Sequence, residues 1–159
     1  MPTALDPCQL VTADEASALS SASFGTGTEG TTSGGAKTCT YGGATSGVVQ
    51  VLVAVAPDAA TAQADWAQEQ ADAQNALKQS APSGVSFTLN LNDTTVAGAD
   101  RAAVASANMT ISGVKVAVSA IYLLKGAVFV TFSDLAVGRD AASAATLEAQ
   151  AGTTLSRLP

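Results

Sequence analysis

Three carboxylates, Asp65, Glu69 and Asp72, recur at i, i+4 and i+7 in a segment of helical spacing, which puts them on one helix face. Two carboxylates across a cleft can divide acid–base work in a hydrolysis, and three can hold calcium weakly. A solvated helix face carries the same pattern more often, and nothing nearby in the sequence buries these groups. Arg101 stands among alanines at a strand start, where it can pair with Asp100 or Asp134 or anchor an anionic ligand. The structural ion pair is the simpler reading. Trp66, the only tryptophan, lies on the acidic helix and could line a space for a small apolar molecule between that helix and a sheet. Trp66 and Arg101 are therefore the candidate ligand contacts.

Other stretches match known chemistry in letters and fail in context. Gly25-Thr26-Gly27-Thr28-Glu29-Gly30 spells G-x-G-x-x-G, but it follows a helix and runs into more glycine and threonine. A dinucleotide site needs a strand before that loop and a helix N-terminus after it. Gly35-Ala36-Lys37-Thr38 has an alanine between the glycine and lysine of a phosphate loop, and a strand follows it. Ser112-Gly113-Val114-Lys115 has the S-x-x-K spacing of penicillin-recognising enzymes. Their serine opens a helix, whereas a hairpin here sends the two side chains to opposite faces.

Histidine is absent from all 159 residues, which excludes Ser-His-Asp and Cys-His catalysis and any His-ligated metal within the chain. No catalytic residue, metal or cofactor is assigned. Seven basic against thirteen acidic residues leave a net charge of −6, so nucleic acid is not an expected partner. Alanine and valine supply most of the 47% hydrophobic fraction, while aromatics make up 4%, too few to line a large pocket. No apolar run reaches the roughly 20 residues of a membrane-spanning helix. Met1-Pro2-Thr3 leads into Asp6-Pro7-Cys8 without the basic start and apolar core of a signal peptide. Either the chain is cytoplasmic, or it is a mature domain whose export signal has been replaced by a start Met. Cys8 and Cys39 share no metal spacing and are either a disulfide closing a loop of about 30 residues or two separate buried thiols.

The elements that must hold these residues read as one domain over 1–159, in the order α-β-β-α-β-β-β-β-α. Residues 1–7 are expected to be a flexible start. Thr12-Ala13-Asp14-Glu15 is a capping box that starts a helix over 13–20. A Gly/Thr-rich loop spans 22–36; strands follow at 37–41 and 48–56, with Gly42-Gly43 and Thr45-Ser46-Gly47 in the turn between them. A long helix over 58–79 stops at Pro82-Ser83-Gly84. Strands at 85–91, 99–110, 114–124 and 127–134 are joined by turns, including Asn92-Asp93, Ser112-Gly113 and Lys125-Gly126. A last helix covers 140–157. Consecutive hairpins make the class α+β, an antiparallel sheet with helices packed on its faces.

Asp6-Pro7-Cys8-Gln9-Leu10-Val11-Thr12, then Glu15-Ala16, then Cys39-Thr40-Tyr41 resembles a family of small actinobacterial-type cell-envelope lipoproteins of unknown function. That family reads D-P-C-x-L-[LV]-T-x-x-E-A with a later C-x-Y. Val96-Ala97-Gly98-Ala99-Asp100-Arg101-Ala102 is similar to its V-x-G-x-G-D-x-A segment, with Ala99 in place of the second glycine. The specific motifs lie in the first 41 residues. The resemblance implies export, lipid attachment at a separate upstream cysteine, a Cys8–Cys39 disulfide and a PsbP-like α/β/α sandwich. It supplies no catalytic residues.

The expectation is a non-catalytic extracytoplasmic domain that binds a protein or small ligand at the cell envelope and meets a membrane only through an upstream lipid. The loop from Phe24 to Ala36 and any sheet face left open by the helices are the expected contact regions. Two alternatives are a carrier of a small apolar molecule near Trp66 and a hydrolase using carboxylates such as Asp65 and Asp72.

Overall fold

Apolar side chains predominate on both faces of three segments, Gly47–Val55 (β3), Val114–Lys125 (β6) and Val128–Val137 (β7). Strands of that kind need cover on both faces, and they form the middle of the sheet. The computed structural model describes residues 5–43, 47–80 and 87–159. It contains one seven-stranded sheet, completed by Thr28–Thr31 (β1), Lys37–Gly43 (β2), Asn90–Thr94 (β4) and Arg101–Ile111 (β5). The strand order is β1-β2-β3-β7-β6-β5-β4, with every neighbour antiparallel.

Helices cover the two faces. Pro7–Leu10 (α1), Ala13–Ser20 (α2) and Ala144–Ser156 (α5) bury Leu10, Leu19, Leu147 and Leu155 against Val49, Val51, Ile121 and Phe132. Ala59–Ala64 (α3) and Trp66–Ser80 (α4) pack Ala62, Trp66, Ala73 and Leu77 on Leu52, Tyr122, Leu124 and Phe129. The chain is therefore α+β, a helix–sheet–helix sandwich.

The capping box acts as read: the Glu15 amide donates to Thr12 Oγ1 at 3.4 Å, and Glu15 Oε2 accepts from the Thr12 amide at 2.9 Å. Ser112 and Gly113 both adopt positive φ in the two-residue β5–β6 turn, which matches the twist of the strands they join.

Several boundaries differ from the sequence reading. Within the expected flexible start, Leu5 to Pro7 are placed, and residues 1–4 lie outside the described residues. Asp6 accepts from the Cys8 amide at 2.9 Å and Pro7 occupies the first turn of α1, so an Asp-Pro pair starts a helix here. The 22–36 loop contains β1, an edge strand held by backbone pairing to β2, with all four residues exposed and so without hydrophobic periodicity. The long helix is interrupted at Asp65, whose backbone stays right-handed helical and still bonds to Thr61 and Glu69. The strand expected at 85–91 is β4 at 90–94, and its pairing takes in Asn92 and Asp93, expected as a turn. Residues 85 and 86, Pro82-Ser83-Gly84 and Thr45-Ser46 lie outside the described residues. The last helix starts at Ala144, because Ser143 caps it by accepting from the Thr146 amide at 3.2 Å.

Cys8 and Cys39 form a disulfide with Cα atoms 5.2 Å apart, joining α1 to β2. Gly27 passes against it so closely that a Cβ there would run into Cys39 Sγ and the Tyr41 ring. The Tyr41 hydroxyl donates to the carbonyls of Val11 at 2.7 Å and Cys8 at 3.2 Å, fastening the same block. Closing a loop across 31 residues contributes roughly 3.5–4 kcal/mol in the chain-entropy estimate. Replacing both cysteines by alanine should lower the unfolding free energy by about that much in urea titrations. Unreduced, unfolded native protein should show no thiol by alkylation.

Candidate functional site

Trp66 and Arg101, the two candidate ligand contacts, are brought together. Trp66 opens α4 and is 5% exposed, and Phe129 meets its ring edge-on with centroids 5.6 Å apart. The Arg101 guanidinium lies 5.1 Å over the same ring, a cation–π contact at the sheet margin. Asp100, one of the acids offered as a partner for Arg101, accepts from the Gly126 amide at 2.6 Å and fixes the β6–β7 turn. Trp66 is thus packed against Phe129 and covered by Arg101, as a core residue.

The acidic stripe is present but not convergent. Asp65 is exposed at the α3–α4 junction, and Asp72 accepts from Gln68 Nε2 at 2.9 Å. Glu69, between them, is half-buried; burial first, then the charges of Asp72 and Asp65, push its pKa up. A separate group, Asp6, Cys8 and Glu29, lies near the disulfide. There the Cys8 sulfur is held in the disulfide and the Asp6 carboxylate caps α1, which leaves Glu29 as the one uncommitted donor. Ser112 sits in the β5–β6 turn, away from any helix start, so the S-x-x-K spacing assembles nothing.

The strongest electrostatic feature lies elsewhere, on the face covered by α2 and α5. Asp134, in the middle of β7, is fully buried. One carboxylate oxygen accepts from Ser20 Oγ at 2.7 Å and the other from the Ala142 amide at 2.9 Å. Arg139 donates through Nε to the Ser20 carbonyl at 2.6 Å and through Nη2 to the Ser20 hydroxyl. The end of α2, the middle of β7 and the approach to α5 are tied at one point. Burial pushes the Asp134 pKa up, against the lowering effect of Ser20, Ala142 and Arg139.

Beside this knot the start of α5 overhangs the sheet and leaves a cleft of about 250 Å³. Ser119 of β6, Val104 and Ser106 of β5, and Asn92 of β4 line one side; Ala142 to Ala144 and Leu147 line the other. The sheet register sets Ser106 beside Ser119 and Ser119 beside Asp134. Ser119 is 5% exposed and its hydroxyl has no hydrogen-bond partner. Asp134 does not serve it, because both carboxylate oxygens are directed to Ser20 and Ala142. A buried hydroxyl without a partner costs about 1–3 kcal/mol, and such groups are rare in folded proteins. Nothing in the sequence marks Ser119 as functional, and Asp134 is read there as a candidate partner of Arg101, whereas the fold commits its carboxylate to Ser20 and Ala142. Compared with family models, curated proteins and solved structures, the chain matches none.

Two outcomes follow from this geometry. Asp134→Ala should cost about 2–4 kcal/mol, because Ser20 and Ala142 lose a buried acceptor together and Arg139 loses a neighbouring negative charge. Since the folded state raises the Asp134 pKa, it holds that proton more tightly than the unfolded chain. The contribution of this group to stability is therefore fully present below the ordinary carboxylate pKa and is lost as pH rises through the raised value. Asp134→Asn should remove that part of the pH dependence when urea midpoints of both proteins are compared from acid to neutral pH. Arg101→Ala should shift the fluorescence of the single tryptophan while costing no more than about 1 kcal/mol.

Proposed function

We propose that this chain is an extracytoplasmic binding domain that carries out no reaction of its own and holds a small ligand in the cleft between β4, β5, β6 and the start of α5. The observation that carries the reading is the unpartnered, buried Ser119 hydroxyl in that cleft, a polar group left unsatisfied where a ligand can satisfy it. The compartment rests on the disulfide, since disulfides persist where glutathione and thioredoxin do not reduce them. The resemblance of the first 41 residues to envelope lipoproteins supports that location and, by analogy with that family, attachment to the membrane through an upstream lipid.

The cleft lies on the opposite sheet face from Trp66 and from the carboxylates of α4. A small-ligand screen followed by amide chemical shifts of the ¹⁵N-labelled protein tests the reading. Shifts should concentrate at Ser106, Ser119, Ala144 and Leu147. Saturable shifts confined to the Asp65–Asp72 face, with turnover of the ligand, would instead favour a hydrolase.

A further inference from the structure

We infer that the cleft takes a small uncharged molecule presenting a carbonyl oxygen to the first turn of α5 and a hydrogen-bonding group to Ser119, with the amide group as the minimal case. This rests on the binding role proposed above and names the chemistry of its ligand.

The donor comes from the helix. Ser143 Oγ accepts from the Thr146 amide, and the Ser143 carbonyl accepts from the Leu147 amide at 3.0 Å. The amide of Ala144, which lines the cleft, belongs to the first turn and has no acceptor within the helix. It stands at the positive end of a 13-residue helix, where a carbonyl oxygen is well placed to accept. Across the cleft the Ser119 hydroxyl can donate or accept, so it can meet either the oxygen or the N–H of an amide. Val104 and Leu147 give an apolar wall for a methyl or methylene group.

The surroundings argue for an uncharged ligand. No lysine or arginine is among the residues lining the cleft. Asp134 occupies the strand position beside Ser119, and the whole chain carries a net charge of −6. A carboxylate or phosphate would enter beside that acid with no lysine or arginine in the cleft lining to offset its own charge, whereas an amide offers the same oxygen without carrying a charge in.

Acetamide and acetate are nearly the same size and differ in charge, so they separate the alternatives. Each is titrated into the full ¹⁵N-labelled chain at pH 7 with the disulfide intact. Acetamide should give saturable shifts at Ser119, Ala144 and Leu147, and acetate should bind more weakly. Ser119→Ala removes the hydroxyl. Ala144→Pro removes one donor at a position where proline suits a helix, because Ser143, at φ −70° and ψ 159°, already has the conformation favoured before proline. Each variant should weaken acetamide binding roughly fivefold, the loss of one hydrogen bond, while remaining folded by thermal unfolding. Acetate binding as tightly as acetamide would overturn the uncharged-ligand inference and leave the cleft as a binding site. Acetamide binding unchanged in both variants would overturn the assigned contacts. No saturable shift at the cleft with acetamide, acetate or the screened ligands would overturn the binding role itself.

Discussion

A carboxylate buried in the middle of a central strand sets the geometry of one whole side of this protein. Burying Asp134 is unfavourable unless its oxygens are occupied, and two separate segments are drawn in to occupy them. Ser20 comes from the last turn of α2, and Ala142 from the chain just before α5. The direction and height at which α5 enters the sheet follow from that requirement. So does the cleft, which is the space left where α5 starts above β5 and β6 before its apolar side chains meet the strands.

The other end of the same face is secured covalently. The disulfide, the Tyr41 hydroxyl and Gly27 form a block in which α1 is pinned to β2. The C-terminal helix then reaches that block: Arg157 forms a bidentate ion pair with Glu15, at 2.6 and 2.7 Å, and donates to the Leu10 carbonyl at 2.9 Å. Thr154 donates to the same carbonyl at 3.1 Å. The Arg157 guanidinium beside Glu15 holds its pKa below the usual carboxylate range. With few aromatic side chains to fill a core, polar anchors at both ends of α5 take over much of the positioning.

Legibility in the sequence follows the strength of the local signal. The boundaries of α2 were readable because a capping box states them in four residues, and β3, β6 and β7 because β-branched runs admit few other readings. β1 and β4 were obscured or displaced because edge strands owe their existence to backbone pairing with a neighbour, which leaves little periodicity behind. The short α1 was hidden in plain letters, since Asp-Pro serves turns and helix starts alike. Trp66 and Arg101 could be singled out by rarity, but only the fold shows that they face each other. Ser119 has no sequence signature; its significance depends on which neighbours lack a hand to offer it, a property of the packed sheet alone.

β1 and β4 are the two open margins of the sheet, and each is short, polar and largely exposed. Glu29 stands on one and Asp93 on the other, with Asn90 and Asn92 beside Leu91. Unpaired strand margins invite a further strand from another chain, and brevity and charge are common means of discouraging it. With both sheet faces covered by helices, these margins are where a second copy could pair strand to strand. The same polar margins that made these strands hard to read therefore guard the protein against growing into a fibre.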